Sequence, residues 1–118
     1  LAPISPGQAV MTTGHDLPNQ YVIHCLGPVY GLDKPEDELL ANCYRNALRL
    51  AEEHKIESIA FPAISTGAFG YPIQDAAEVA FKTIMEAIPE LKFLKWLRFV
   101  LHSENDVGIY KKILEKKA

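Results

Sequence analysis

Between an apolar strand-like run and a helical one lies Phe61-Pro62-Ala63-Ile64-Ser65-Thr66-Gly67-Ala68-Phe69-Gly70-Tyr71-Pro72, and this stretch limits most strongly what the chain can fold into. Gly67 and Gly70 permit a sharp reversal in which consecutive backbone N–H groups converge on an anion at the start of the following helix. Ser65 and Thr66 offer hydroxyl donors, and Phe69 offers a flat apolar face against which a ribose or base could lie. Pro72 suits the first turn of a helix, where a missing N–H needs no partner. The stretch therefore reads as a phosphate-cradling loop, with an ordinary α/β connection as the alternative. It is not a Walker lysine loop, because no Gly-Lys-Ser/Thr follows, and its glycine spacing is not that of a dinucleotide fingerprint.

The flanking patterns place the loop. Ile59-Ala60-Phe61 is the strand that delivers it, and Ile73 to Ile88 is the helix that leaves it, with Ala76, Ala77, Ala80, Ile84 and Ile88 on one stripe and Pro89 as the stop. Upstream, Gln8 to Thr12 and Tyr21 to Leu26 read as strands joined in a hairpin-like antiparallel connection through the turn-rich Thr13 to Asn19. Glu36 to about His54 reads as a helix burying Leu39, Leu40, Cys43, Ala47, Leu50 and Ala51, with Asp33 and Pro35 as start signals and Arg45, Arg49, Glu52 and Glu53 on a solvated face. Leu97 to His102 reads as the last strand, followed by a cap-rich Ser103-Glu104-Asn105-Asp106 and a terminal helix to about Lys117. Strands alternating with helices predict a mainly parallel sheet with helices on its faces, and a ligand site at the carboxyl ends of the strands.

Charge narrows the partners. With 118 residues and a formal net charge of −3, the chain is expected to be one domain without the basic face that general nucleic-acid binding needs. No apolar run approaches the ~20 residues of a membrane span, so a cytoplasmic protein is expected, with no membrane partner. Cys25 and Cys43 have neither metal-ligand spacing nor disulfide density and read as buried free thiols; no metal or cofactor is expected. His24, within an apolar strand, reads as a packed ring satisfied by a backbone carbonyl.

The string from Phe61 to Pro72 closely resembles the second phosphate-binding loop of macro domains, the ADP-ribose-binding modules, and in particular their ester-hydrolysing branch. Pro6 to Val10, Leu17-Pro18 and Ile23 to Tyr30 resemble the corresponding strand pair, in the same order. The resemblance implies a three-layer α/β/α fold with a mixed, mostly parallel sheet and helices on both faces. It also implies that Ser65, Thr66, Gly67, Ala68 and Phe69 contact the diphosphate and distal ribose, that Gly70 shapes the turn, and that His102 lies near the adenine. It runs from about Ser5 to the end, over the later part of the family's pattern. That pattern's front, with its Asn-Ala-Ala-Asn strand end and acidic glycine-rich loop, has no counterpart here, so residues 1–118 are expected to be a single, N-terminally incomplete domain.

No catalytic residue is assigned to the chain on this basis. The resemblance implies ADP-ribose or a related ligand, with ADP-ribosylated proteins as further partners. The complete form would hydrolyse ADP-ribosyl-protein or O-acetyl-ADP-ribose esters. A non-catalytic ADP-ribose-binding module and an α/β fragment without a competent site are the alternatives.

Overall fold

The structure, a computed structural model, describes residues 4–13 and 21–117. The predicted turn at Thr13 to Asn19 falls mostly outside them. The elements are β1 (Ala9–Thr13), β2 (Tyr21–Cys25), α1 (Glu36–Glu53), β3 (Ser58–Phe61), α2 (Ile73–Ala87), a 3-10 turn (Ile88–Glu90), β4 (Trp96–Phe99) and α3 (Glu104–Lys117). Their order and kinds match the sequence reading. The last strand differs: it starts one residue earlier and stops at Phe99, leaving His102 in the bend before α3.

β1 and β2 pair antiparallel, with Ala9 opposite Cys25 and Thr13 opposite Tyr21. β3 and β4 pair parallel, with Ser58 opposite Trp96 and Phe61 opposite Phe99. These are two separate two-stranded ladders; among the described residues no ladder joins β2 to β3. The predicted mixed α/β fold is present, but its sheet is split.

The helices take the faces their sequences dictate, with two adjustments. α1 opens with Glu36, Asp37 and Glu38 at the positive end of its dipole. Its buried stripe is Leu40, Cys43, Tyr44, Ala47, Leu48 and Ala51, so Tyr44 and Leu48 take the place expected for Leu39 and Leu50. Asp33 does not cap the helix; its carboxylate accepts the Val29 N–H at 2.8 Å and closes the preceding loop. In α2 the stripe is Ala76, Ala77, Ala80, Phe81 and Ile84, while Ile88 lies beyond the helix end and is exposed. The buried Thr83 hydroxyl donates to the Val79 carbonyl at 2.7 Å, which satisfies it inside the core.

Phe99 is where the helices meet. Its ring lies 6.3 Å from Tyr44 of α1, 5.3 Å from Phe81 of α2, 5.0 Å from Tyr110 of α3 and 6.1 Å from Phe61 of β3. Ile59, Phe61, Leu97 and Phe99 pack into this core, whereas the alternate residues Ser58, Ala60, Trp96 and Arg98 are exposed. Among the described residues, all three helices thus cover one face of the β3–β4 ladder. The solvated face of α1 holds one exception: the Glu52 carboxylate accepts the N–H groups of Lys92, Phe93 and Leu94 at 2.6 to 3.0 Å, tying down the approach to β4. Those three donors hold its carboxyl below the ordinary range. No described helix is long and apolar enough to cross a membrane.

Candidate functional site

The loop between β3 and α2 is built from two tight turns. In the first, the Thr66 N–H and hydroxyl both donate to the Ala63 carbonyl, at 3.3 and 2.8 Å. In the second, the Gly70 N–H donates to the Gly67 carbonyl at 3.0 Å, and Tyr71 N–H closes the loop onto the Ser65 carbonyl at 2.9 Å. The left-handed residues are Ser65 (φ 68°) and Gly70 (φ 75°). The reversal therefore rests on Ser65 and Gly70, where the sequence suggested Gly67 and Gly70.

Inside these turns four backbone donors stay uncommitted. Among the described residues, the N–H groups of Ser65, Gly67, Ala68 and Phe69 donate to no carbonyl or side chain. A run of such donors on a tight turn is an anion-binding nest, reinforced by the positive end of the helix dipole that begins at Ile73. Gly67 and Ala68 are exposed, and a Cβ added at Gly67 would meet nothing within 4 Å.

The hydroxyls behave differently from the sequence expectation. That of Thr66 is spent on Ala63, and that of Ser65 is buried without a partner among the described residues. Ser65 turns inward because β2 ends against it: a Cβ added at Gly27 would fall 2.1 Å from the Ser65 Oγ. Only glycine fits there, and it brings the carboxyl end of β2 beside the loop. Pro72 occupies the position before the first helical residue of α2, with extended backbone.

One further residue frames the loop that sequence reasoning did not select, Tyr30. The Tyr30 N–H donates to the Phe69 carbonyl at 2.9 Å, and the Tyr30 ring stacks tilted on buried Tyr71 at 4.9 Å. Tyr30 is half exposed and Phe69 half-buried, and the backbone hydrogen bond holds the two residues side by side. The only available signal was an aromatic directly after Gly27-Pro28-Val29. His102 is exposed in the bend beyond β4; no hydrogen bond or ring contact ties it to the loop among the described residues. Its neighbour Leu101 packs in the same apolar cluster as Ala63, which brings the bend to the base of the loop.

Below the loop, a cavity of about 880 Å³ separates β2 from β3. Its walls include Ile23, His24 and Cys25 on one side, Ser58 to Phe61 on the other, and Pro62 and Ile64 at the loop end. His24 is exposed here, its Nε2 2.9 Å from the Thr12 hydroxyl, so its partner is a side chain across the ladder and not the expected carbonyl. No group of three metal-ligating side chains occurs among the described residues.

The two thiols are free, and burial pushes Cys25 up to about 11 and Cys43 to about 12. Against an ordinary value of 9.0, the shift at Cys25 cuts its thiolate fraction at pH 8 about 100-fold. Iodoacetamide is therefore expected to label both cysteines far more slowly in the folded chain than in urea, as mass spectrometry would read. The same shifts set an alkaline limit. Groups raised in the folded state favour folding fully below their unfolded pKa near 9 and less as pH rises toward 11 to 12. Tyr110, also pushed up to about 12 by burial, acts in the same direction. Urea midpoints are expected to fall steadily above pH 9; a flat profile to pH 11 would contradict the burial assigned to these groups.

Comparison with known proteins bears directly on this loop and its supports. The macro domain family model matches residues 1–80. A macro domain-containing protein of Chlorobaculum tepidum is 45% identical over 109 residues, covering 92% of this chain and 63% of its own length. A Klebsiella pneumoniae protein named O-acetyl-ADP-ribose deacetylase is 44% identical over 110 residues, again 92% and 63%. A solved variant of the Oceanobacillus iheyensis macrodomain with ADPR superposes with a TM-score of 0.90 at 42% identity, covering 97% of this chain and 61% of that one. The chain thus spans somewhat under two thirds of the length of these relatives. On the family match and these identities, it belongs to the macro domain family.

Proposed function

We propose that this chain binds ADP-ribose through the loop of Ser65, Thr66, Gly67, Ala68, Phe69 and Gly70, as the diphosphate-holding part of one macro domain that extends beyond residues 1–118. The observation that carries the reading is the set of four uncommitted N–H groups at Ser65, Gly67, Ala68 and Phe69. They explain how a chain of net charge −3 holds a dianion without lysine or arginine. Ser65 and Gly70 supply the left-handed backbone, Thr66 braces the first turn, and Phe69 with Tyr30 forms the apolar wall for a sugar beyond the second phosphate. In this reading His102, exposed in the bend after β4, contacts the adenine, which is supported by its neighbour Leu101 packing on the same apolar cluster as Ala63.

The longer polypeptide hydrolyses ADP-ribosyl-protein or O-acetyl-ADP-ribose esters in this reading, supported by the relative named as a deacetylase. The loop's part is positioning: it holds the diphosphate curved so that the distal ribose is presented to a water. A second reading, a binding module without catalysis, is favoured by the absence of any carboxylate among the cavity-lining residues described. Calorimetry with ADP-ribose and ATP tests the ligand, and release of ADP-ribose from modified protein separates the two readings. ADP-ribose is expected to bind at least tenfold more tightly than ATP, which has no second sugar to lie on Phe69. Phe69→Ala is expected to weaken ADP-ribose by roughly tenfold, about 1.4 kcal/mol, from lost packing on the sugar. Equal binding of ATP would remove the ligand assignment.

A further inference from the structure

The connection from β2 to α1 passes the phosphate loop as a braced turn. The Val29 carbonyl accepts the N–H groups of Leu32 and Asp33 at 3.0 and 2.9 Å, and the Asp33 carboxylate returns to the Val29 N–H at 2.8 Å. The Gly31 N–H donates to the Glu36 carboxylate at 3.0 Å, while the Tyr30 N–H is held by the Phe69 carbonyl at 2.9 Å. Backbone and carboxylates together thus fix this turn against the loop of Ser65 to Gly70.

The turn nevertheless presents apolar side chains outward. Leu32 is 74% exposed and Tyr30 45%, and Leu32 belongs to neither apolar cluster of the described residues. A leucine exposed singly on a surface needs no explanation. Leu32 is different because its backbone is pinned and because it stands two residues from Tyr30, within about 7 Å of the residue whose backbone holds Phe69. A Cβ added at Gly31, Gly67 or Gly70 meets nothing within 4 Å, so the space beside both loops is open.

We propose that Leu32 is a specificity-determining residue that takes an apolar side chain flanking the modified residue of an ADP-ribosylated polypeptide, so that acceptors are selected by their local sequence. This rests on the ADP-ribose reading and deepens it. Reach decides between the two ester classes. With the distal ribose against Phe69, an acetyl ester adds only a carbonyl and a methyl and stops short of Leu32. A polypeptide continues at about 3.4 Å per residue and carries a flanking side chain to the turn. Charge selects an apolar flank over a basic one. Asp33 and Glu36 spend their carboxylates on loop N–H groups, and Lys34 adds a positive charge that a lysine or arginine flank would meet. Covering Leu32 removes apolar surface from water, and the turn is already ordered, so little of that gain is lost to ordering it.

The test measures, by calorimetry, the binding of three probes to the natural polypeptide carrying this sequence. They are ADP-ribose, a peptide bearing ADP-ribose through a non-hydrolysable link with leucine on both sides of the modified residue, and the same conjugate with glycine there. The leucine-flanked conjugate is expected to bind about tenfold more tightly than the glycine-flanked one, the scale of burying one leucine that was largely exposed. Leu32→Ser is expected to bring the two conjugates within about twofold of each other and to leave ADP-ribose affinity within about twofold of the parent. Leu32→Met is expected to keep the preference. Equal binding of the two conjugates by the parent would overturn the proposal, and so would a preference that survives Leu32→Ser. A lysine-flanked conjugate that binds more tightly than the leucine-flanked one would overturn the choice of an apolar flank. Failure of ADP-ribose itself to bind would remove the ligand reading and this inference with it. ADP-ribose binding without any flank preference would remove this inference alone.

Discussion

Gly67→Glu is expected to abolish ADP-ribose binding while leaving the fold in place. A Cβ at Gly67 meets no atom within 4 Å and the residue is not in the left-handed region, so the substitution costs the protein little. The new carboxylate would stand over the N–H groups of Gly67, Ala68 and Phe69, in the space a phosphate must take. Two unit charges 4 Å apart at an effective dielectric near 20 repel by about 4 kcal/mol, on the order of 1000-fold in affinity, before steric exclusion is counted. Calorimetry should show no heat of binding, with a circular-dichroism melt within a few degrees of the parent. Retained affinity would place the anion elsewhere. Loss of both binding and fold would refute the open space assigned to Gly67.

Phe99→Ala should be the most damaging single truncation in β4. The ring joins Tyr44, Phe61, Phe81 and Tyr110, one contact to each helix and one to the neighbouring strand, so its removal opens a cavity shared by four elements. Phe→Ala at such a site costs about 3–5 kcal/mol, against the ~5–15 kcal/mol that holds a typical domain folded. In the 118-residue chain this is expected to bring the urea midpoint close to zero. Trp96→Ala, three residues earlier and 64% exposed, is expected to change stability by no more than about 0.5 kcal/mol. Urea titration of the two variants checks the contrast; equal losses would mean that the outer face of β4 is already covered.

Local periodicity made the elements legible. The 3.6-residue apolar repeat in α1 and α2, the acidic first turn of α1 and the short apolar runs at β2 and β3 are properties of neighbouring residues, and they held to within a residue or two. The error at β4 has a physical cause. Val100 and Leu101 are apolar like the strand, but only Trp96 to Phe99 find a ladder partner before the chain leaves β3 at Phe61. Choosing Leu39 and Leu50 for the buried stripe of α1 over Tyr44 and Leu48 failed for a related reason, since a helix offers a broad apolar arc and the facing elements decide which part of it is covered.

The site divides along the same line. The tight turn that makes Ser65 to Gly70 the candidate site was legible in those residues, because a turn of small residues between a strand and a helix depends on local backbone freedom. Which of those residues supply donors was not. Thr66 spends its hydroxyl on Ala63, and Ser65 turns its own inward against Gly27, a residue 38 positions away whose missing Cβ alone makes room for it. Tyr30 reaches Phe69 only through the path of the loop after β2. The sequence by itself determined the elements and the loop between β3 and α2, both set by residues close along the chain. Tertiary structure alone decided the burial of Ser65, the placing of Tyr30 and the separation of β2 from β3, because each depends on how closely two distant backbones approach.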